Sequence, residues 1–156
     1  MASDRCTFYT YPTAFGPLTL GSDGEGVSAV VFGDMQLAGA FAPADVTNRA
    51  ATEIMEYLAG KRTAFTVPLS IGGTPFQRDV WRAVANIPYG HTRTARDVAA
   101  TLGAPESFRA VGAALKACPA PLLVPTHRVV GAAGRPLGTG EAAERARAFR
   151  RLEAAR

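Results

Sequence analysis

Thr94-Ala95-Arg96-Asp97-Val98-Ala99-Ala100-Thr101-Leu102-Gly103-Ala104-Pro105-Glu106 is the stretch on which the fold turns. Thr94 can cap a helix, Asp97 stands at its third position and Gly103 can terminate it, so a short helix is predicted through Leu102. Pro105 and Glu106 suit the opening of another helix, running to about Ala117. Two short helices joined by Leu102-Gly103-Ala104 predict a helix-turn-helix.

Upstream, Thr74-Pro75-Phe76-Gln77 is a strong helix start: a capping threonine, a proline at the first helical position, and a glutamine three residues on that completes a capping box. Phe76, Val80, Val84 and Ile87 mark one face of that helix with Trp81 beside it, and Pro88-Tyr89-Gly90 ends it. Ile71-Gly72-Gly73 reads as a linker, which divides the chain into an amino-terminal domain, 1–70, and a second domain, 71–156. In the first, Cys6 to Tyr11, Leu18 with Leu20, and Val27 to Phe32 predict a short antiparallel sheet, with a tight connection at Asp23-Gly24-Glu25-Gly26. Gly33 to Thr47 predicts a loop, Asn48 to Ala59 a helix, and the alternation of Phe65, Val67 and Leu69 a further strand. Downstream of the helix pair, Pro119 and Pro121 break the chain before the apolar segment Leu123-Val124-Pro125-Thr126-His127-Arg128-Val129-Val130. A Gly-rich loop and a last helix from Glu141 to Arg156 follow, with Ala142, Ala146, Phe149 and Leu152 inward. The fold class is mixed α/β (α+β).

At 156 residues and 47% hydrophobic content the chain can bury a real core. It has no apolar run near the roughly 20 residues of a membrane helix and no start resembling a signal peptide, so no membrane association is expected. Cys6 and Cys118 are too few for a disulfide framework and lack metal-ligand spacing, which predicts a reducing cytoplasm and no metal. Charge is unevenly placed: residues 1–70 carry net −3 and residues 71–156 net +7. The basic half is the candidate phosphate surface.

The segment around Thr126-His127-Arg128 resembles the P-C-H-R-V segment of the O6-alkylguanine-DNA alkyltransferases, with Thr126 where that family carries its reactive cysteine. Gly73-Thr74-Pro75-Phe76-Gln77, Val80-Trp81, Ile87-Pro88-Tyr89-Gly90 and Arg109-Ala110-Val111-Gly112 are similar to family segments in the same order. The resemblance implies a ribonuclease-H-like α/β domain followed by a helical, winged-helix-like domain whose helix-turn-helix enters the minor groove of DNA. It implies further that His127 is the histidine that helps ionise the thiol and Glu153 the glutamate that orients it, and that Arg109 fills the gap left by a flipped nucleotide. Thr94, Ala95, Arg96, Phe108, Ala110, Gly112 and Ala113 join Arg109 as expected DNA contacts. Cys118, Val124, Pro125, Thr126, Thr139 and Gly140 are the expected base pocket. On residue type alone, small residues at Ala110, Gly112 and Ala113 fit close helix packing as well as close groove approach, and a buried histidine–carboxylate pair fits a structural role as well as a relay.

Departures from the family pattern set the functional expectation. A threonine hydroxyl is a poor nucleophile at a saturated carbon, whereas a cysteine thiol ionises near pH ~8.5 and can be pushed lower. Ala95 replaces a tyrosine, Phe108 a small residue and Cys118 a hinge asparagine, and Gly138-Thr139-Gly140-Glu141-Ala142-Ala143 replaces a Gly-Tyr-Ser/Gly-Gly-Gly-Leu type of loop. These changes predict a non-catalytic reader of alkylated guanine, similar to the alkyltransferase-like proteins, although those carry tryptophan in place of the cysteine and lack the amino-terminal domain. Two alternatives stand beside it: an active alkyltransferase that uses Cys118 as its acceptor, and a helix-turn-helix regulator with no lesion preference. Duplex DNA with an alkylated guanine is the expected partner and other DNA-repair proteins the next, for a monomer without cofactor in the cytoplasm at the nucleoid.

Overall fold

The computed structural model describes residues 5–155, and the chain divides into two compact units between Gly72 and Gly73. In the first unit β1 (Thr7–Thr13), β2 (Gly16–Ser22), β3 (Val27–Phe32) and β4 (Ala40–Phe41) form one sheet in the order β3-β2-β1-β4, followed by α1 (Asp45–Leu58). β1, β2 and β3 are antiparallel neighbours, but β4 runs parallel to β1, which corrects the purely antiparallel expectation. The stretch read as loop returns along β1, where Ala40 N–H donates to the Cys6 carbonyl at 3.1 Å and Ala42 N–H to the Phe8 carbonyl at 3.0 Å. Leu18, Thr19 and Leu20 are all buried, so β2 is covered on both faces, and Ile54 and Tyr57 of α1 are fully buried.

Two boundaries also differ from expectation. α1 starts at Asp45 rather than Asn48, because the Thr47 hydroxyl accepts the Ala44 N–H at 3.0 Å and fixes an earlier first turn. Phe65 to Leu69 is not a strand. Pro68 has no N–H to give to a ladder, and what remains is a single bridge between Val27 and Leu69, with Val27 N–H on the Pro68 carbonyl at 2.9 Å.

The second unit comprises α2 (Pro75–Ala85), β5 (Arg93–Thr94), α3 (Ala95–Thr101), α4 (Phe108–Lys116), β6 (Val129–Val130) and α5 (Glu141–Ala154). Both capping boxes form. Gln77 N–H donates to the Thr74 hydroxyl at 3.1 Å while the Gln77 side chain accepts Thr74 N–H, and Asp97 and Thr94 repeat the exchange at the head of α3. The predicted helix from Pro105 is shorter than expected: Pro105–Ser107 is a tight 3-10 turn, closed by Ser107 N–H on the Ala104 carbonyl, and the α-helix begins at Phe108.

Val80, Val84, Ala99 and Val111 are fully buried between α2, α3 and α4, each valine contributing about 1.5–3 kcal/mol on burial. The Trp81 indole donates to the Ala114 carbonyl at 2.8 Å, tying α2 to α4. Gly73, read as part of a linker, is a packing position, since a Cβ there would lie 2.6 Å from the Trp81 ring. Among the described residues no helix is long and apolar enough to cross a membrane.

Candidate functional site

Thr126-His127-Arg128 forms a single 3-10 turn between Pro125 and β6. The segment that delivers it folds back on itself: Val124 N–H donates to the Ala120 carbonyl at 2.9 Å and Thr126 N–H to the Val124 carbonyl at 2.6 Å. Within that fold-back Leu122 is buried and holds φ +80°, a left-handed conformation that costs a non-glycine residue about 1–3 kcal/mol.

Glu153, on the last turns of α5, is brought to this segment and is buried with it. Its carboxylate accepts His127 Nε2–H at 2.6 Å, Arg128 Nε–H at 2.9 Å and Arg128 Nη2–H at 3.1 Å, and also Gly90 N–H at 3.1 Å. Arg128 Nη1 donates to the Ile87 carbonyl at 2.8 Å, and Arg150 to the His127 carbonyl at 3.0 Å. The bidentate partner Arg128 favours the carboxylate form of Glu153 as acceptor, so His127 Nε2–H is the donor of the pair. Burial pushes His127 below its ordinary pKa, and the Glu153 carboxylate opposes that shift without overcoming it. The ring is therefore neutral at pH 7.

A cavity of about 420 Å³ opens beside this turn, bounded among others by Thr126, His127, Gly112, Lys116, Thr139 and Ala142. Of the six expected pocket residues the structure places Thr126 and Thr139 on its wall. Cys118, Val124 and Pro125 are buried and Gly140 is exposed, and none of the four bounds this cavity, which differs from the expected pocket. Burial pushes the Cys118 thiol up to about 11. Sequence reasoning missed Lys116, Pro136, Leu137 and Arg150 as wall residues, and missed the backbone groups of Ile87 and Gly90 in the Glu153 network. Ala142 and Ala146, taken as inward-facing from their helical spacing, face this cavity. Among the described residues no cluster of His, Cys, Asp and Glu could hold a metal ion.

α4 presents Arg109, Ala110 and Ala113 to solvent, while Val111 and Ala114 face the core. Phe108 is half-buried under two guanidinium groups, with Arg96 4.0 Å and Arg109 5.8 Å from its ring centroid. Thr94 caps α3 and is half-buried; Ala95 is buried and packs in the core, which corrects its expected place on the contact surface. Close packing does not explain Gly112, because a Cβ there would meet nothing within 4 Å. Gly112→Ala should therefore stabilise the unit by about 0.5–1 kcal/mol through helix propensity, read as a higher urea midpoint of Trp81 fluorescence. An unchanged or lower midpoint would show a steric need for glycine.

Residues 75–155 match the DNA binding domain of 6-O-methylguanine DNA methyltransferase, and residues 5–71 match the ribonuclease-like domain of the same enzyme. The chain belongs to the 6-O-methylguanine DNA methyltransferase family. It is 51% identical over 79 residues to the constitutive methylated-DNA–protein-cysteine methyltransferase of Bacillus subtilis, covering 51% of this chain and 48% of that protein. It is 44% identical over 107 residues to the methylated-DNA–protein-cysteine methyltransferase of Mycobacterium bovis, covering 69% of this chain and 65% of that protein. The matches thus span about half to two thirds of these relatives. The crystal structure of the Mycobacterium tuberculosis O6-methylguanine methyltransferase superposes with a TM-score of 0.88 at 35% identity, covering 97% of this chain and 94% of that one. The same enzyme in complex with DNA superposes with a TM-score of 0.86.

These relatives correct the expectation of a non-catalytic reader that is not an enzyme. At this identity the family members are named as methyltransferases, and the chain retains a cysteine in its carboxy-terminal unit. The alternative of an active alkyltransferase fits better.

Proposed function

We propose that the chain is a methylated-DNA–protein alkyltransferase: it binds duplex DNA, receives an alkylated guanine in the cavity beside Thr126 and His127, and moves the alkyl group from guanine O6 to its own cysteine. The observation that carries this reading is the 420 Å³ cavity walled by Thr126 and His127 and backed by the buried Glu153, in a chain of this family. On this reading residues 1–70 are the ribonuclease-H-like domain and residues 71–156 the winged-helix-like DNA-binding domain. Net charge of +7 on the second supplies phosphate contacts, and Arg96, Arg109, Ala110 and Ala113 form a thin, cationic face for the groove.

Thr126 stands where the family pattern has its acceptor, and its hydroxyl is too weak a nucleophile for displacement at a saturated carbon. The reading assigns the acceptor role to Cys118, the sole thiol of the carboxy-terminal unit. Cys118 is tied to the site by a backbone relay: Ala120 N–H donates to its sulfur, and Ala120, Val124 and Thr126 are linked by the hydrogen bonds given above. In the transfer the thiol releases its proton to solvent, the thiolate forms a carbon–sulfur bond to the alkyl carbon, and the carbon–O6 bond breaks. Guanine leaves with the electron pair and takes a proton from water. Because Cys118 is buried, the fold-back from Cys118 to Thr126 must open for the thiolate to reach the adduct.

The elevated thiol sets the pH dependence. The reactive form is deprotonated, so below about 11 each pH unit raises its fraction tenfold, and methyl uptake from O6-methylguanine duplex should accelerate ~100-fold between pH 7 and pH 9. Intact-mass time courses at the two pH values, followed by peptide mapping to Cys118, check this. A rate that does not change with pH, or no uptake at either pH, would refute the reading.

A further inference from the structure

Resting on the DNA-binding part of that reading, we infer that Phe108 is a positioning residue for the DNA backbone: its ring fixes the Arg96 guanidinium of α3 beside Arg109 of α4, and the pair is presented to phosphates. Arg96 lies in the first turn of α3 and Arg109 in the first turn of α4, and both are exposed. What joins them is Phe108, half-buried at the head of α4, with the Arg96 guanidinium carbon 4.0 Å from its ring centroid and that of Arg109 5.8 Å away. At the shorter distance the guanidinium is stacked on the ring, attracted by the negative face of the π-system. Among the described residues neither arginine makes an ion pair with a carboxylate, so two like charges share one ring without a counterion from the protein. Such a pair favours an anion with several acceptor oxygens, and a phosphodiester matches the guanidinium's fork of donors. A free arginine loses rotamer freedom when a phosphate immobilises it, whereas one already stacked has lost much of it before the DNA arrives. The same stacking argues against Phe108 as an apolar wedge between bases, because a half-buried ring covered by a guanidinium is not free to enter the stack.

Anisotropy titrations of the full chain on an undamaged duplex test this separately from transfer, which is read by intact mass after incubation with O6-methylguanine duplex. Phe108→Leu keeps the apolar bulk a wedge would need and removes the π-face, so it should bind about fivefold more weakly than wild type. Phe108→Tyr keeps the face and should bind within about twofold of wild type. Arg96→Ala should weaken binding at least as much as Phe108→Leu and lower the slope of log affinity against log salt by about one. Adding Phe108→Leu to Arg96→Ala should then cost less than about twofold more, because the ring acts through that arginine. Arg96→Lys, an exposed change that keeps the charge and loses the planar stack, should weaken binding about as much as Phe108→Leu, and it decides the matter if the leucine variant does not fold. Wild-type affinity in Phe108→Leu or Arg96→Lys, an unchanged salt slope in Arg96→Ala, or fully additive losses in the double variant overturns the inference. Coupling between Phe108 and Arg96 without methyl uptake sinks the transferase reading and leaves this assignment standing; uptake with additive losses does the reverse.

Discussion

Glu153→Ala should lower the unfolding free energy of the carboxy-terminal unit by about 3–5 kcal/mol, the range for removing one partner of a buried ion pair. The carboxylate accepts four hydrogen bonds, and its loss strands the Arg128 guanidinium in the core along with the His127 ring and the Gly90 N–H. Glu153→Gln keeps the volume and an acceptor oxygen, so it should fall between the alanine variant and wild type. Trp81 makes the measurement selective: it is the only tryptophan in the chain and is buried in that unit, so its fluorescence in a urea titration reports that unit alone. A Glu153→Ala midpoint within error of wild type would mean that the network is ornamental. The same network predicts acid sensitivity. His127 is neutral in the folded unit with its pKa below 6.5, so as pH falls below 6.5 the unfolded state takes up a proton that the folded state refuses, and stability declines.

Which parts of this architecture can be read from residues follows from how local their causes are. The capping boxes Thr74–Gln77 and Thr94–Asp97 were legible because cap, first turn and partner lie within four residues, and both form as read. β4 was not legible, because two residues in a Gly/Pro-rich stretch become a strand only by meeting β1, more than thirty residues away, and nothing in Ala40-Phe41 announces that partner. The wall of the cavity shows a different failure. Ala142 and Ala146 recur at helical spacing, and small apolar residues have the same period whether they face packed side chains or an empty volume.

Glu153 was reached by counting along a family pattern rather than by any local signal, and the counting landed on a residue 2.6 Å from His127. The Ile87 carbonyl and Gly90 N–H escaped notice because backbone groups carry no residue-type signature. Cys118 reads as a pocket residue because it falls where the family pattern has its hinge asparagine. In the structure Cys118, Ala120 and Leu122 to Pro125 are buried, with Leu122 in the left-handed region, and none of them bounds the cavity.

That geometry determines the largest kinetic effect. Thr126→Cys should raise the rate of methyl uptake at pH 7 by on the order of 100-fold over wild type, and Cys118→Ser should abolish uptake in the wild-type background while leaving the Thr126→Cys gain in place. The argument compares two thiols. Cys118 ionises at about 11 because burial penalises its thiolate, so at neutral pH it is almost wholly protonated, and it must be uncovered before it can react. A thiol at position 126 would stand on the cavity wall, half-exposed, where an ordinary value near ~8.5 leaves a few per cent as thiolate at pH 7. It would also neighbour His127, whose ring is held by a 2.6 Å hydrogen bond to Glu153. Roughly two to three units of pKa separate the two sulfurs, which alone accounts for the expected factor. Mass mapping of each variant after incubation with O6-methylguanine duplex decides the matter. Methyl on Cys118 in wild type, and on the introduced thiol in Thr126→Cys, is the expected pair of results. Undiminished uptake in Cys118→Ser would remove Cys118 from the mechanism and return the acceptor role to the wall of the cavity.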